Sequence, residues 1–140
     1  MIKYIVACAA IVIVMVSLDL VWLGVIAKPL YQQGIGHLMA DQPNFLAGSL
    51  FYAIYAIGLT VFAVLPNSAA AAWSRTAAAG ALFGLVAYAT YDLTNLATLR
   101  NWPIGMSLLD MAWGSALSAI AAATARLALA RCAGRKGAPA

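Results

Sequence analysis

Hydrophobic residues in this chain fall into four long runs separated by short polar breaks. Tyr4 to Ala27 is apolar apart from Ser17 and Asp19, and Lys28-Pro29 stops it. A second run, Phe45 to Leu65, is stopped by Pro66-Asn67, and a third, Trp73 to Leu99, is closed by Arg100-Asn101. The fourth, Pro103 to Ala130, leads into a basic tail over 131–140. Each run reaches the length of about 20 residues that a helix needs to cross about 30 Å of hydrocarbon. Helices are expected because an open sheet edge has no hydrogen-bond partners in lipid. The runs also exceed the roughly 9–11 residues of a barrel strand. The pattern predicts an all-α fold: an integral membrane four-helix transmembrane bundle over 1–130, with spans at about 4–27, 45–65, 73–99 and 103–130 and a solvated, disordered tail.

The connections are short except the first. Lys28 to Asn44 interleaves Gln32, Gln33, His37 and Asp41 with Leu30, Ile35, Leu38 and Met39. That mixture suits a segment lying in the membrane interface, as a connector or a lid.

Composition supports lipid as the solvent. Hydrophobic residues make up 65% of the 140 and charged residues 9%, against about 25% charged in soluble domains. A soluble domain this small leaves too much surface exposed to hide so many apolar side chains. The formal net charge of +4 reads as topology signal and headgroup contact rather than nucleic-acid binding, since no basic stripe interleaved with aromatics is present. Lys3, Arg75, Arg126, Arg131, Arg135 and Lys136 fall on one side and Lys28 and Arg100 on the other; six against two places the first side, with both termini, in the cytoplasm. Cys8 and Cys132 then lie on the reducing side, without a companion at metal-site spacing. The N-terminal Met-Ile-Lys-Tyr resembles a signal-peptide start. However, the run from Ile5 to Ile26 is too long for an h-region and lacks a small-x-small cleavage site, so it reads as a retained first span.

Candidate chemistry rests on the acids. Of four acidic residues, Asp41 lies in the long loop, whereas Asp19, Asp92 and Asp110 fall inside predicted spans. An ionisable group there needs a reason, since it costs about 2.5–3.5 kcal/mol at the bilayer centre on insertion scales. At 1.5 Å per residue, Asp19 stands about 22 Å above Tyr4 and Asp92 about 24 Å above Thr76. Asp110, on a span running the other way, is about 9 Å in from the opposite boundary. All three therefore converge on one level near the periplasmic side. Tyr52 lies about 10 Å down its span at that height. Tyr88, Asp92 and Asn95 share a helical face, Trp22 follows Asp19 by three residues, and Trp113 follows Asp110 by three. Gly80 and Gly84 below Tyr88, and a stripe from Asp110 through Gly114, Ser118, Ala121 and Ala125, mark these faces as interior.

Only Arg100 and Lys28 are cations at this level, and both can snorkel outward. The surplus charge has three remedies: a protonated acid, a shared proton, or a bound cation held by carboxylate, Asn95 and Thr94 oxygens. The competing reading makes the acids hydrogen-bonding glue between helices and Trp22, Trp102 and Trp113 an interfacial aromatic belt. His37, the lone histidine, reads as solvated surface. No nucleophile constellation, phosphate loop or dinucleotide fingerprint is present, and no cofactor or resident metal is expected.

A short echo links Ser17-Leu-Asp19-Leu to Thr90-Tyr-Asp92-Leu, as two helix hairpins related by a pseudo-two-fold axis would give. The stretch Tyr91-Asp-Leu-Thr-Asn-Leu-Ala-Thr-Leu-Arg-Asn-Trp-Pro103, with Asp19/Trp22 and Asp110/Trp113-Gly114, resembles domain-of-unknown-function family 2177 of small bacterial membrane proteins. The resemblance implies four spans in the bacterial inner membrane and brings no activity with it. Three functions fit the residues. The first is binding or transport of a small solute, proton or cation through Asp19, Asp92 and Asp110, lined by Tyr52, Tyr88, Asn95, Trp22 and Trp113. The second is an enzyme acting on a lipid at the outer leaflet by paired-acid chemistry. The third is a non-catalytic assembly or stress-response subunit. The lipid bilayer is the expected partner, and the thin wall of four spans leaves room for a homodimer.

Overall fold

A computed structural model describes residues 2–68 and 72–134. The chain is all-helical, with no strand among the described residues. Helix α1 covers Ile2–Val21 and continues into a π turn over Trp22–Ile26. The short α2, Lys28–Ile35, carries Pro29 in its first turn, where the missing N–H costs nothing. Helix α3 covers Phe45–Leu59 and ends in a second π turn, Thr60–Val64; α4 is Trp73–Thr98 and α5 is Ile104–Gly134. Asn44 caps α3 by accepting from the Ala47 amide at 3.1 Å, satisfying one of the helix's orphan N–H groups.

Three helical segments are long and apolar enough to cross a membrane: Ile2–Ile26, Phe45–Val64 and Ile104–Ala133. Helix α4 is long enough but richer in polar residues, and it is the partner most extensively packed on α5. Helix α5 runs on through Arg131 to Gly134, the first four residues of the segment expected as a basic tail. Arg135 and Lys136, with the rest of 135–140, lie outside the described residues.

Interior faces follow the helical repeat. On α1 the buried residues are Ala7, Ile11, Met15 and Asp19; on α4 they are Thr76, Gly80, Gly84 and Asp92. Met106, Asp110, Gly114, Leu117, Ser118, Ala121, Ala122 and Ala125 do the same for α5. Asp19 and Asp92 end the interior stripes of α1 and α4, and Asp110 lies one turn inside that of α5. The opposite faces carry Ile5, Ile13, Leu20, Ile54, Phe62, Val86, Leu108 and Leu127 exposed to the surroundings, as a lipid-facing surface requires.

Glycines set the α4–α5 seam. A Cβ on Gly84 would stand 2.1 Å from the Gly114 carbonyl oxygen, and one on Gly80 would stand 2.7 Å from that of Ser118. The helices touch backbone to backbone, the contact that small-xxx-small stripes permit. Ser115 fastens the seam by donating to the Ala81 carbonyl at 3.0 Å. The turn into α5 bends at Asn101, whose φ of 59° is the left-handed conformation that asparagine tolerates. Trp102 follows, buried, with its indole donating to Ser107 Oγ at 2.9 Å.

Candidate functional site

Residues of α1 and its π turn, α2, α3, α4 and α5 line an open-sided cavity of about 560 Å³. Asp19 and Asp110 line it, with Trp22, Tyr31, Phe51, Tyr52, Tyr55, Tyr88, Tyr91 and Trp113 as aromatic wall and Leu23, Gly48 and Ala87 between. Leu23, Phe51 and Tyr91 are the more exposed members and form its outer edge.

Asp19, at the end of the α1 stripe, is 5% exposed. One of its oxygens accepts from the Tyr52 hydroxyl at 2.9 Å and the other from the Trp113 indole at 3.1 Å. Asp110, 7% exposed, accepts from the Tyr31 hydroxyl. Trp22, the first residue of the π turn, lies flat on Trp113 with ring centres 4.2 Å apart and planes 4° from parallel. That turn closes through the Ala27 amide bonding to the Trp22 carbonyl at 2.7 Å, and its extra residue is the kind of widening that recurs at functional sites. The Trp22 Nε1 atom is buried without a hydrogen-bond partner.

Tyr88 sits over Gly114, where a Cβ would fall 2.2 Å from its ring atoms. Tyr55 and Ser118 hydroxyls are 2.7 Å apart. Ser118 spends its single proton on the Gly114 carbonyl at 2.7 Å, so Tyr55 is the donor in that pair.

Asp92 differs from the other two acids. It is fully buried, lies outside the cavity lining, and has no hydrogen-bond partner at either oxygen. Trp102 and Ser107 adjoin it but bond to each other. It is close enough to Asp110 for their charges to interact, and Asp110 likewise feels Asp19. Among the described residues no lysine, arginine or histidine lines the cavity.

The structure thus gathers Asp19, Asp110, Tyr52, Tyr88, Trp22 and Trp113 around one space. Asp92 and Asn95 are both absent from the lining. Thr94 is exposed, donates its hydroxyl to the Thr90 carbonyl at 2.5 Å, and is absent from the lining. Among the described residues no three His, Cys, Asp or Glu groups meet closely enough to hold a metal ion. In the Ser17/Thr90 echo, both hydroxyls bond back to their own helix at 2.7 Å, to Ile13 and Val86, and both following aspartates are buried.

Tyr31 is one lining residue that the sequence did not point to. It comes from the long first connection, whose α2 docks where Gly34 meets the Pro103 ring; a Cβ there would be 2.9 Å from Pro103 Cγ. Burial, with the Asp110 carboxylate beside it, pushes the Tyr31 phenol well above the ordinary tyrosine range, so it stays a donor. The only sequence signal was a tyrosine within an interfacial segment. Tyr55 and Tyr91 were also missed, although Tyr55 follows Tyr52 at helical spacing.

Residues 4–127 match the family described as "Predicted membrane protein (DUF2177)", and the chain belongs to that family. No curated protein and no solved structure matches the chain.

Proposed function

We propose, with membership of this membrane-protein family as the premise, that the chain is a four-span protein of the cell inner membrane. Both termini face the cytoplasm, and the aspartate-lined cavity near the periplasmic side binds a small solute, proton or cation and passes it on. One observation carries this reading: a cavity of about 560 Å³ has two buried carboxylates in its wall and no base. Such a site attracts positive charge and repels anions. Helix α4 serves as the fourth span, because its polar and glycine face is turned to α5 and only its outer residues, such as Leu82 and Val86, meet lipid. A second copy of the chain would thicken the thin wall around the passage.

Asp19 and Asp110 are the binding carboxylates, Tyr52, Tyr31 and Trp113 orient them, and Trp22 and Tyr88 form part of the aromatic lining. Asp92 biases the charge of the pair from outside the lining. The test is uptake in proteoliposomes, read by an internal pH dye and by sodium and potassium tracers. Wild-type protein should give uptake that Asp19→Asn and Asp110→Asn abolish. Uptake unchanged in both variants would sink the reading.

A further inference from the structure

We propose that the cavity takes an organic ammonium cation, a positively charged nitrogen carried on a compact apolar or aromatic body. The inference rests on the cation-binding reading above and names the class of ligand within it.

The wall itself makes the selection. Of the thirteen lining residues, eight are aromatic, two are aspartates and none is basic. A hard inorganic cation is held by several converging oxygen ligands, about six to eight for calcium with water among them, rather than by ring faces. Here both Asp19 oxygens already accept from Tyr52 and Trp113, and Asp110 accepts from Tyr31. An alkylated ammonium makes no such demand. Its charge is spread over the carbons around nitrogen, it sheds water readily, and ring faces stabilise it through their negative quadrupole. The carboxylates then supply net charge at short range without having to coordinate.

Size agrees. About 560 Å³ falls within the range of 300–1,000 Å³ typical of small-molecule pockets, and a bare metal ion would leave most of it unfilled. Charge sign excludes the opposite class, since a phosphate or carboxylate ligand would meet two acids and no lysine or arginine. The parallel Trp22–Trp113 pair adds a broad flat surface beside Asp19, to which the second indole is bonded. Phe51 and Tyr91, more exposed at the outer edge, leave an aromatic lip by which a lipophilic cation can enter.

The ammonium could belong to a free solute or to a phospholipid headgroup, and the test separates them. Full-length protein is placed in nanodiscs of phosphatidylglycerol, and binding of benzyltrimethylammonium is followed by tryptophan fluorescence and by calorimetry. Saturable binding is expected. The uncharged isostere neopentylbenzene should compete at least tenfold less well, and sodium at equal concentration should not compete. Asp19→Asn and Asp110→Asn should each weaken binding by tenfold or more, and Tyr88→Leu, which keeps both acids, by about tenfold through loss of one ring face.

The ligand series on wild-type protein keeps the proposal falsifiable if a variant fails to fold. Weaker probe binding in phosphatidylethanolamine nanodiscs would support the ammonium class and assign the cavity to a headgroup. Equal affinity in both would support it for a free solute. Equal competition by neopentylbenzene, or no saturable binding of the probe, would overturn it. Asp19-dependent proton or sodium uptake without probe binding would overturn this inference alone and leave the broader reading standing.

Discussion

Replacing Gly84 with alanine tests the helix seam that holds the cavity wall. The new methyl would stand 2.1 Å from the Gly114 carbonyl oxygen and 2.4 Å from Ser118 Oγ, where ordinary contact begins at 3.4 Å. Relief against the carbonyl takes a displacement of about 1.3 Å, and because that atom is backbone, the helices themselves have to part. Overpacking of this kind costs about 1–3 kcal/mol, and a clash with backbone lies at the upper end. Alanine's better helix propensity returns roughly 1 kcal/mol. The net loss is about 2 kcal/mol, roughly a 30-fold shift in the folding equilibrium. Gly105→Ala is the control, since nothing lies within 4 Å of its Cβ. Unfolding in mixed micelles, titrated with sodium dodecyl sulfate and read by tryptophan fluorescence, measures both. Gly84→Ala should unfold at clearly lower detergent fraction while Gly105→Ala matches wild type. Equal midpoints for the two variants would refute the close approach of α4 and α5.

Two further outcomes are expected. Asp92→Leu removes a buried carboxylate with no partner and should raise stability by about 1–3 kcal/mol in the same titration, since an unsatisfied buried polar group costs that much; a fall in midpoint would mean that Asp92 is satisfied by its surroundings. An impermeant maleimide should label Cys132, which is exposed, in inside-out vesicles and spare it in spheroplasts, while Cys8, half-buried against Thr60, reacts slowly in either. Labelling of Cys132 in spheroplasts would reverse the orientation.

Much of the helical framework could be read from the chain because lipid enforces it. Run length and the positions of Pro29, Pro66 and Arg100 give the helix limits to within a few residues. The inward turn of Asp19, Asp92 and Asp110 was legible too, since each continues a stripe of small or apolar residues at helical spacing. Rotation within a face was not. Asp92 and Tyr88 are one turn apart, yet Tyr88 meets the cavity and Asp92 is buried outside its lining. Asn95, three residues on, was grouped with them by spacing alone. Tyr31 was invisible for a different reason: its place depends on α2 folding back over Pro103, a contact between segments about 70 residues apart. The widened turn at Trp22 also leaves no mark in hydropathy, since Trp-Leu-Gly-Val-Ile reads as plain helix.

That widened turn has a consequence for how the first connection is aimed. A helix advances about 100° per residue, so one residue absorbed into a π turn sets the direction of everything after it. Deleting Gly24 would let Trp22–Ile26 tighten into regular helix, and α2 would then leave α1 about 100° around its circumference. Its phenol would swing clear of Asp110, with every cavity-lining side chain outside α2 still present and one hydrogen-bonding arm missing from the wall.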